Sequence, residues 1–237
     1  MKKTKEESKT KKEVKKTKIK AIIFDVGGVL KIGRFSIMKF KVGDEESYHL
    51  DMSKYLQMSL DSWFDAIDKV YVDSFEGKIK EKEVSKIIAK NLGVDLQDLI
   101  KTSDKVFKKF FKKNKKLYKI AFDLKKRGYV VGILSDQWVF SKRVLTPRED
   151  VKGFSPVIIS CDVGVRKPDV RIYKLLMKKL RKKHKGIKAS EVLFIDNRDY
   201  NLKPARRLGM KVILFKNNKQ VVREMGEFGL ETRNKLI

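Results

Sequence analysis

The sequence predicts an α/β protein: a parallel sheet core with helices on both faces, and an all-helical segment inserted between strands one and two. Three observations carry this. Five short apolar runs end at a polar residue: AIIF before Asp25, VVGIL before Ser135, VII before Ser160, VLFI before Asp196 and VILF before Lys216. They are apolar at successive positions rather than alternate ones, as strands buried on both faces must be. Most of the gaps between them have helical periodicity, whereas the stretch from Arg34 to Lys112 has helix patterns and no convincing buried strand.

In chain order, residues 1–17 form a Lys-rich tail with too little apolar surface to offset the entropy of ordering, and they read as disordered. The tail has the charge of a secretory leader's first region without the apolar segment that must follow. Residues 18–33 and 113–237 make up the core, and 34–112 the helical insertion. Within the insertion, Trp63, Ile67, Val70 and Tyr71 share one helical face, and Val84, Ile87, Ile88 and Leu92 share another that Gly93 is placed to end. Leu96, Leu99, Ile100, Phe107 and Phe110 follow. In the core, Leu117, Ile120, Ala121 and Leu124 line one helix face, and Ile172, Leu175, Leu176 and Leu180 another.

Composition narrows the class. Of 237 residues, 41% are hydrophobic, enough for a buried core, and 58 Lys+Arg against 30 Asp+Glu give a formal charge of +28. One cysteine, Cys161, excludes an intrachain disulfide and a multi-thiolate zinc site, and a reducing, cytoplasmic setting is expected. No stretch approaches the roughly 18 uninterrupted apolar residues of a membrane helix, so no membrane partner is expected.

In a parallel sheet the carboxyl ends of the strands gather on one edge, so Asp25, Ser135 and Asp196 converge. Four motifs surround them: FDVGGVL (Phe24 to Leu30), GILSD (Gly132 to Asp136), GVRKPDVRIY (Gly164 to Tyr173) and VLFIDNRDYNLKPARRLGM (Val192 to Met210). Over roughly Ile19 to Leu230 they resemble the haloacid dehalogenase-like (HAD) hydrolase superfamily, in its phosphatase-like branch with a helical cap after the first motif. The resemblance implies a Rossmann-like core. It also implies that Asp25 is a carboxylate nucleophile forming an aspartyl-phosphate, which splits one hard displacement into two easier ones. Mg²⁺ would sit between the Asp25 carboxylate, the Gly27 carbonyl and the Asp196 carboxylate, with waters completing its shell. Gly28, Ser135, Asp136 and Lys167 would surround the phosphoryl group, Ser135 by a hydrogen bond and Lys167 as a point charge. Arg166 and Lys167 precede Pro168 at an expected helix start, where the helix dipole disfavours cations and an anion site explains them.

The pattern departs from the family in places. Most phosphatases of this kind have a second Asp two residues after the nucleophile, to protonate the leaving group; here Gly27 stands there. Either the substrate has a good leaving group, or a cap residue or water supplies the proton. His49, Asp44, Glu45 and Glu46 are the cap candidates, each reading first as a solvated surface residue. Asn197 replaces a common second acid of the fourth motif. Asp199 would compensate beside the metal, although its spacing equally suits a helix start. The Asp136 carboxylate would repel a phosphate, so it is expected to turn away and offer its backbone N–H.

The resulting expectation is a Mg²⁺-dependent phosphatase of small phosphorylated metabolites, with a 2-haloacid dehalogenase-like hydrolase as an alternative. A further alternative is a catalytically impaired HAD-fold protein binding nucleic acid or other polyanions. It draws on the lysine runs in the tail, at Lys108 to Lys116 and at Lys178 to Lys188, the last containing a surface His184. Only 12 of the 58 basic residues are Arg, the residue that bidentate phosphate clamps favour, so nucleic acid is the less favoured partner.

Overall fold

Strand β1 (Ala21–Phe24) enters a tight turn and a short strand β2 (Lys31–Gly33). Among the described residues four helices follow, α1 (Tyr48–Tyr55), α2 (Leu60–Phe75), α3 (Glu81–Leu92) and α4 (Leu96–Phe110), before β3 (Phe111–Lys113) returns the chain. The core continues as α5 (Lys115–Lys126), β4 (Val130–Ser135), α6 (Val139–Leu145), α7 (Arg148–Val151), β5 (Val157–Ile159), α8 (Ser160–Val163) and α9 (Val170–Lys183). It closes with β6 (Val192–Asp196), α10 (Asp199–Arg207), β7 (Lys211–Leu214) and α11 (Asn218–Glu227). The structure is a computed structural model that describes residues 18–33 and 48–231. The expectations for the tail (1–17) and for Asp44, Glu45 and Glu46 lie outside the described residues.

The main sheet is parallel throughout, in the order β5-β4-β1-β6-β7, with Ile23 of β1 in register with Gly132 on one side and Phe194 on the other. The five strands are the five apolar runs, and alternate residues of β1 face opposite layers. Ile22 and Phe24 share a buried cluster with Leu117 and Leu124 of α5 and with Val221 and Met225 of α11. Ala21 and Ile23 share the other cluster with Ile172, Leu176 and Leu180 of α9 and Leu202 of α10. The sheet is therefore sandwiched between helices, with its carboxyl edge left for the site.

The insertion holds the predicted helices, and α3 ends at Gly93 in the left-handed conformation. The described residues that bracket it, 31–33 and 111–113, are not helical. β2 and β3 pair antiparallel, Lys31 opposite Lys113 and Gly33 opposite Phe111, and β3 crosses the expected boundary at residue 112. Three-residue, half-exposed strands leave no hydrophobic pattern to read. Lysines directly opposed in a ribbon repel, and here one carboxylate of α7 holds both: Lys113 Nζ lies 2.5 Å from Asp150 Oδ1, and Lys31 Nζ bonds Oδ2.

The insertion docks on the core through backbone and hydroxyl contacts. Ser74 of α2, fully buried, accepts a hydrogen bond from Val139 N at 3.1 Å. Gly77, at φ 63°, lies so close to the Cys161 carbonyl that a Cβ there would sit 2.0 Å from its oxygen. Above these contacts Trp138 of the core packs edge-on against Tyr71 of α2, with ring centroids 4.8 Å apart.

His49 is a correction. It is buried, and its Nδ1 accepts the Trp63 indole N–H at 2.8 Å. Burial lowers its pKa to about 4, so it is a neutral acceptor inside the insertion, neither a surface residue nor a proton donor at neutral pH. The sequence shows it as one polar residue beside Tyr48, without the tertiary partner that makes burial tolerable. His184 is exposed, and within the second lysine run Lys109 pairs with Asp51 at 2.6 Å. No helix among the described residues is long and apolar enough to cross a membrane.

Candidate active site

Asp25 follows the last residue of β1, where its backbone N–H continues the sheet ladder to Ile195 O. Its Oδ1 accepts from Val26 N at 2.7 Å and lies 3.1 Å from Lys167 Nζ. The same ammonium is 2.7 Å from Asp196 Oδ2 at the end of β6, and it donates to the Leu134 carbonyl of β4 at 3.3 Å. Three strand ends thus meet on one buried lysine. Its position follows from the loop before α9: Asp169 caps that helix by accepting from Arg171 N, so Lys167 precedes the helix and turns inward beneath the strands.

Burial raises the Asp25 carboxyl to about 6; Lys167 and the Ser135 hydroxyl act against this, while Asp196 and Asp136 add to it. Burial also works against the Lys167 ammonium, yet the charges of Asp196, Asp25 and Asp136 outweigh it and hold Lys167 above its ordinary range. The site is an excess of buried negative charge gathered around one cation.

Asp196 is fixed from three sides. Arg198 N donates to Oδ1 at 2.8 Å, Asn201 Nδ2 reaches both oxygens, and Lys167 completes the set. Asn201 is itself buried on α10 beside Leu202 and Ala205, and its carbonyl accepts the Tyr173 hydroxyl. Ser135 Oγ accepts from Gln137 Nε2 at 2.9 Å, and Gln137 Oε1 in turn accepts the Ser141 hydroxyl at 2.6 Å. With a lone pair so engaged, the Ser135 O–H is oriented as a donor.

A cavity of about 590 Å³ opens over this floor. Its wall includes Asp25, Gly27, Gly28, Asp136, Lys167 and Asn197, while Ser135 and Asp196 are fully buried and do not line it. Asp136 Oδ1 accepts from Lys167 N at 3.0 Å, so this carboxylate helps place the lysine. Burial raises Asp136, with Lys167 opposing. Gly27 has open space where a Cβ would stand, and Gly28, at φ 83°, lies against the Asn197 side chain. Asp199 is not brought to the floor: it is the exposed first residue of α10 and pairs with Arg206 at 2.7 Å. The sequence reading missed Asn201 and Gln137. The trace of Asn201 was there, a polar residue on the buried face of a helix five residues after Asp196; Gln137 left none, because its partners come from folding.

The family model for haloacid dehalogenase-like hydrolases matches residues 19–209. The chain belongs to that family. Among its relatives, bifunctional epoxide hydrolase 2 of Rattus norvegicus is 34% identical over 117 residues, covering 47% of this chain and 20% of the relative. The chain therefore spans about a fifth of the length of that protein. Glyceraldehyde 3-phosphate phosphatase of Pyrococcus furiosus is 33% identical over 102 residues, 40% of this chain and 39% of that one. A HAD family enzyme of Bacteroides thetaiotaomicron, solved in complex with magnesium and inorganic phosphate, shares the fold at TM-score 0.63 and 23% identity, over 84% of this chain and 96% of that one. This member of the family carries Gly27 in its first motif and Asn197 in its fourth.

Proposed function

We propose that the chain is a Mg²⁺-dependent phosphatase of small phosphorylated metabolites, acting through an aspartyl-phosphate on Asp25. One observation carries the reading: a single buried ammonium, Lys167, stands between Asp25 and Asp196 under a cavity large enough for a metabolite. The relative named as a phosphatase and the fold relative solved with magnesium and phosphate support the same chemistry.

The donor set fits the ion. Mg²⁺ takes one or two carboxylates and keeps waters, and Asp25, Asp196 and the Gly27 carbonyl are the residues that would hold it. Asp25, Asp136 and Asp196 share one buried ammonium, which leaves negative charge for a cation to balance. When bound, the ion neutralises the approach of two anions.

Asp25 attacks phosphorus in its ionised form, the bond to the leaving oxygen breaks, and that oxygen departs with the electron pair. Lys167 and the Ser135 hydroxyl stabilise the charge on the phosphoryl oxygens. Water then cleaves the acyl phosphate and restores the Asp25 carboxylate. With no acid at Gly27, the departing oxygen takes its proton from water, which favours acyl, anomeric and aryl phosphates.

Hydrolysis of p-nitrophenyl phosphate and acetyl phosphate, with and without Mg²⁺ and beside Asp25→Asn, tests this. Turnover requiring both Mg²⁺ and Asp25 is expected. Unchanged turnover in Asp25→Asn removes the nucleophile, and equal rates for aryl and alkyl phosphates remove the leaving-group preference.

A further inference from the structure

The positive charge of the chain is not spread evenly over its sequence. Residues 169–214, from the cap of α9 to the end of β7, carry 14 Lys and Arg against 4 Asp and Glu, whereas the insertion, residues 34–112, carries 15 against 14. Lysines in the insertion are thus matched by acids, and those of the α9–α10 layer are not. The four acids of the layer are also engaged already: Asp169 with Arg171 at 2.6 Å, Glu191 with Lys20 at 2.7 Å, Asp199 with Arg206 at 2.7 Å, and Asp196 with Lys167 in the site. The scarcity of Arg in the whole chain, which disfavours a nucleic-acid partner, does not describe this layer, since it holds five of the 12 Arg.

Helices α9 and α10 cover the same face of the sheet, and the Tyr173 hydroxyl joins them at the Asn201 carbonyl. Both begin at the carboxyl edge and end at the amino edge, where a Cβ on Gly209, after α10, would lie 3.9 Å from that of Ala189, after α9. Lys178, Lys182 and Lys185 on the α9 side, and Lys203, Arg207 and Lys211 on the α10 side, are exposed and form no salt bridge among the described residues. A helix dipole favours cations in the last turn, which accounts for Lys182 and Arg207. Lys178, Lys185, Lys203 and Lys211 lie outside those turns. Like charges gathered on one face repel, and a polyanion laid across it relieves that repulsion.

We propose that the α9–α10 face binds the phosphate backbone of a double-stranded nucleic acid, without reading its sequence. Lysine meets phosphate as a point charge and selects no base. Helix α9 is about 20 Å long, and a duplex carries one phosphate charge per about 1.7 Å of its axis, so phosphates are available to all six cations. A lipid-binding helix also needs apolar side chains to enter the surface. Among the described residues, Val170 and Tyr200 are the exposed large hydrophobic residues of these helices, and both stand in first turns at the carboxyl edge, at the other end from Lys182 and Arg207. The surface is independent of the phosphatase reading, because its cations take no part in the chemistry at Asp25.

Fluorescence anisotropy with 20-base-pair DNA and RNA duplexes tests this on the full chain and two variants. One variant combines Lys178→Gln, Lys182→Gln, Lys203→Gln and Arg207→Gln. The other removes the same charge from exposed lysines of the insertion, with Lys69→Gln, Lys82→Gln, Lys86→Gln and Lys90→Gln. The full chain is expected to bind at least one duplex at 50 mM salt and to lose about 100- to 1,000-fold in affinity by 200 mM, as about four to six phosphate contacts require. The α9–α10 variant binds at least about 10-fold more weakly at 50 mM salt and with a shallower salt dependence, while the insertion variant stays within about 2-fold of the full chain. Binding of neither duplex overturns the proposal. Equal weakening in both variants also overturns it, because net charge then suffices wherever it lies. Binding to phosphatidylserine vesicles in place of both duplexes assigns the face to a membrane and overturns it too. Thermal unfolding shows that both variants fold, and duplex binding without p-nitrophenyl phosphate turnover removes the phosphatase reading alone.

Discussion

Asn201 donates from one amide nitrogen to both oxygens of the Asp196 carboxylate, at 3.2 and 3.1 Å. The amide fixes the plane of a carboxylate that is fully buried. Groups that orient a ligand commonly account for about 10- to 100-fold in metal affinity, and Asn201→Ala is predicted to raise the Mg²⁺ concentration for half-maximal activity by that factor. A Mg²⁺ titration of phosphatase activity reads it, and an unchanged midpoint removes Asn201 from the site.

Lys167→Met leaves Asp25 and Asp196 without their shared cation. Breaking a buried ion pair by removing one partner costs about 3–5 kcal/mol, and loss of that size is predicted in urea unfolding at pH 8. Asp25 already has its carboxyl raised to about 6, and without the ammonium it rises further. The folded variant therefore holds protons that the unfolded chain releases, so its deficit shrinks as pH falls from 8 to 5. A deficit that grows with acid contradicts this charge balance.

Gly27 and Gly28 are neighbours with opposite tolerances. A Cβ at Gly27 meets nothing within 4 Å, whereas at Gly28 it falls 2.2 Å from Asn197 Nδ2 at φ 83°. Gly27→Asp is predicted to fold normally and to speed alkyl phosphate hydrolysis about 10- to 100-fold, with aryl phosphates little changed. Gly28→Ala loses about 1–2 kcal/mol through its left-handed backbone and displaces Asn197. Steady-state rates over a leaving-group series and thermal unfolding check the pair.

His49 sets part of the acid stability. Burial lowers its pKa from 6.5 to about 4, so the unfolded chain takes up the proton first. The stability due to neutral His49 is complete above about pH 6.5 and is lost as pH falls through 4, about 3 kcal/mol in all. Asp25, with its raised carboxyl, acts in the opposite sense between 6 and 3.8. Urea midpoints of the wild type and His49→Phe at pH 7.5, 6 and 5 isolate the histidine, whose removal flattens the profile; parallel profiles reject it.

The sheet was legible because strands buried on both faces leave unbroken apolar runs, and each of the five ends at a residue that chain direction alone assigns to one edge. Asp25, Asp196 and Lys167 were legible through that geometry and the family resemblance. His49 and Gln137 were not, since a buried polar residue is recognisable only by partners, Trp63 and Ser135, that folding supplies. The β2–β3 ribbon was hidden for a different reason: its pairing depends on Asp150, more than thirty residues beyond β3 in sequence.

That ribbon has a consequence for how such chains change. Because Gly33 and Phe111 are paired, the detour of residues 34–110 leaves and rejoins the core at one point. The sheet then experiences the insertion as a closed loop, and closing a longer or shorter one differs by only about 0.6 kcal/mol per doubling. The insertion is thus exchangeable as a module: transplanting another family's insertion between Gly33 and Phe111 is expected to leave Asp25, Lys167 and Asp196 in register.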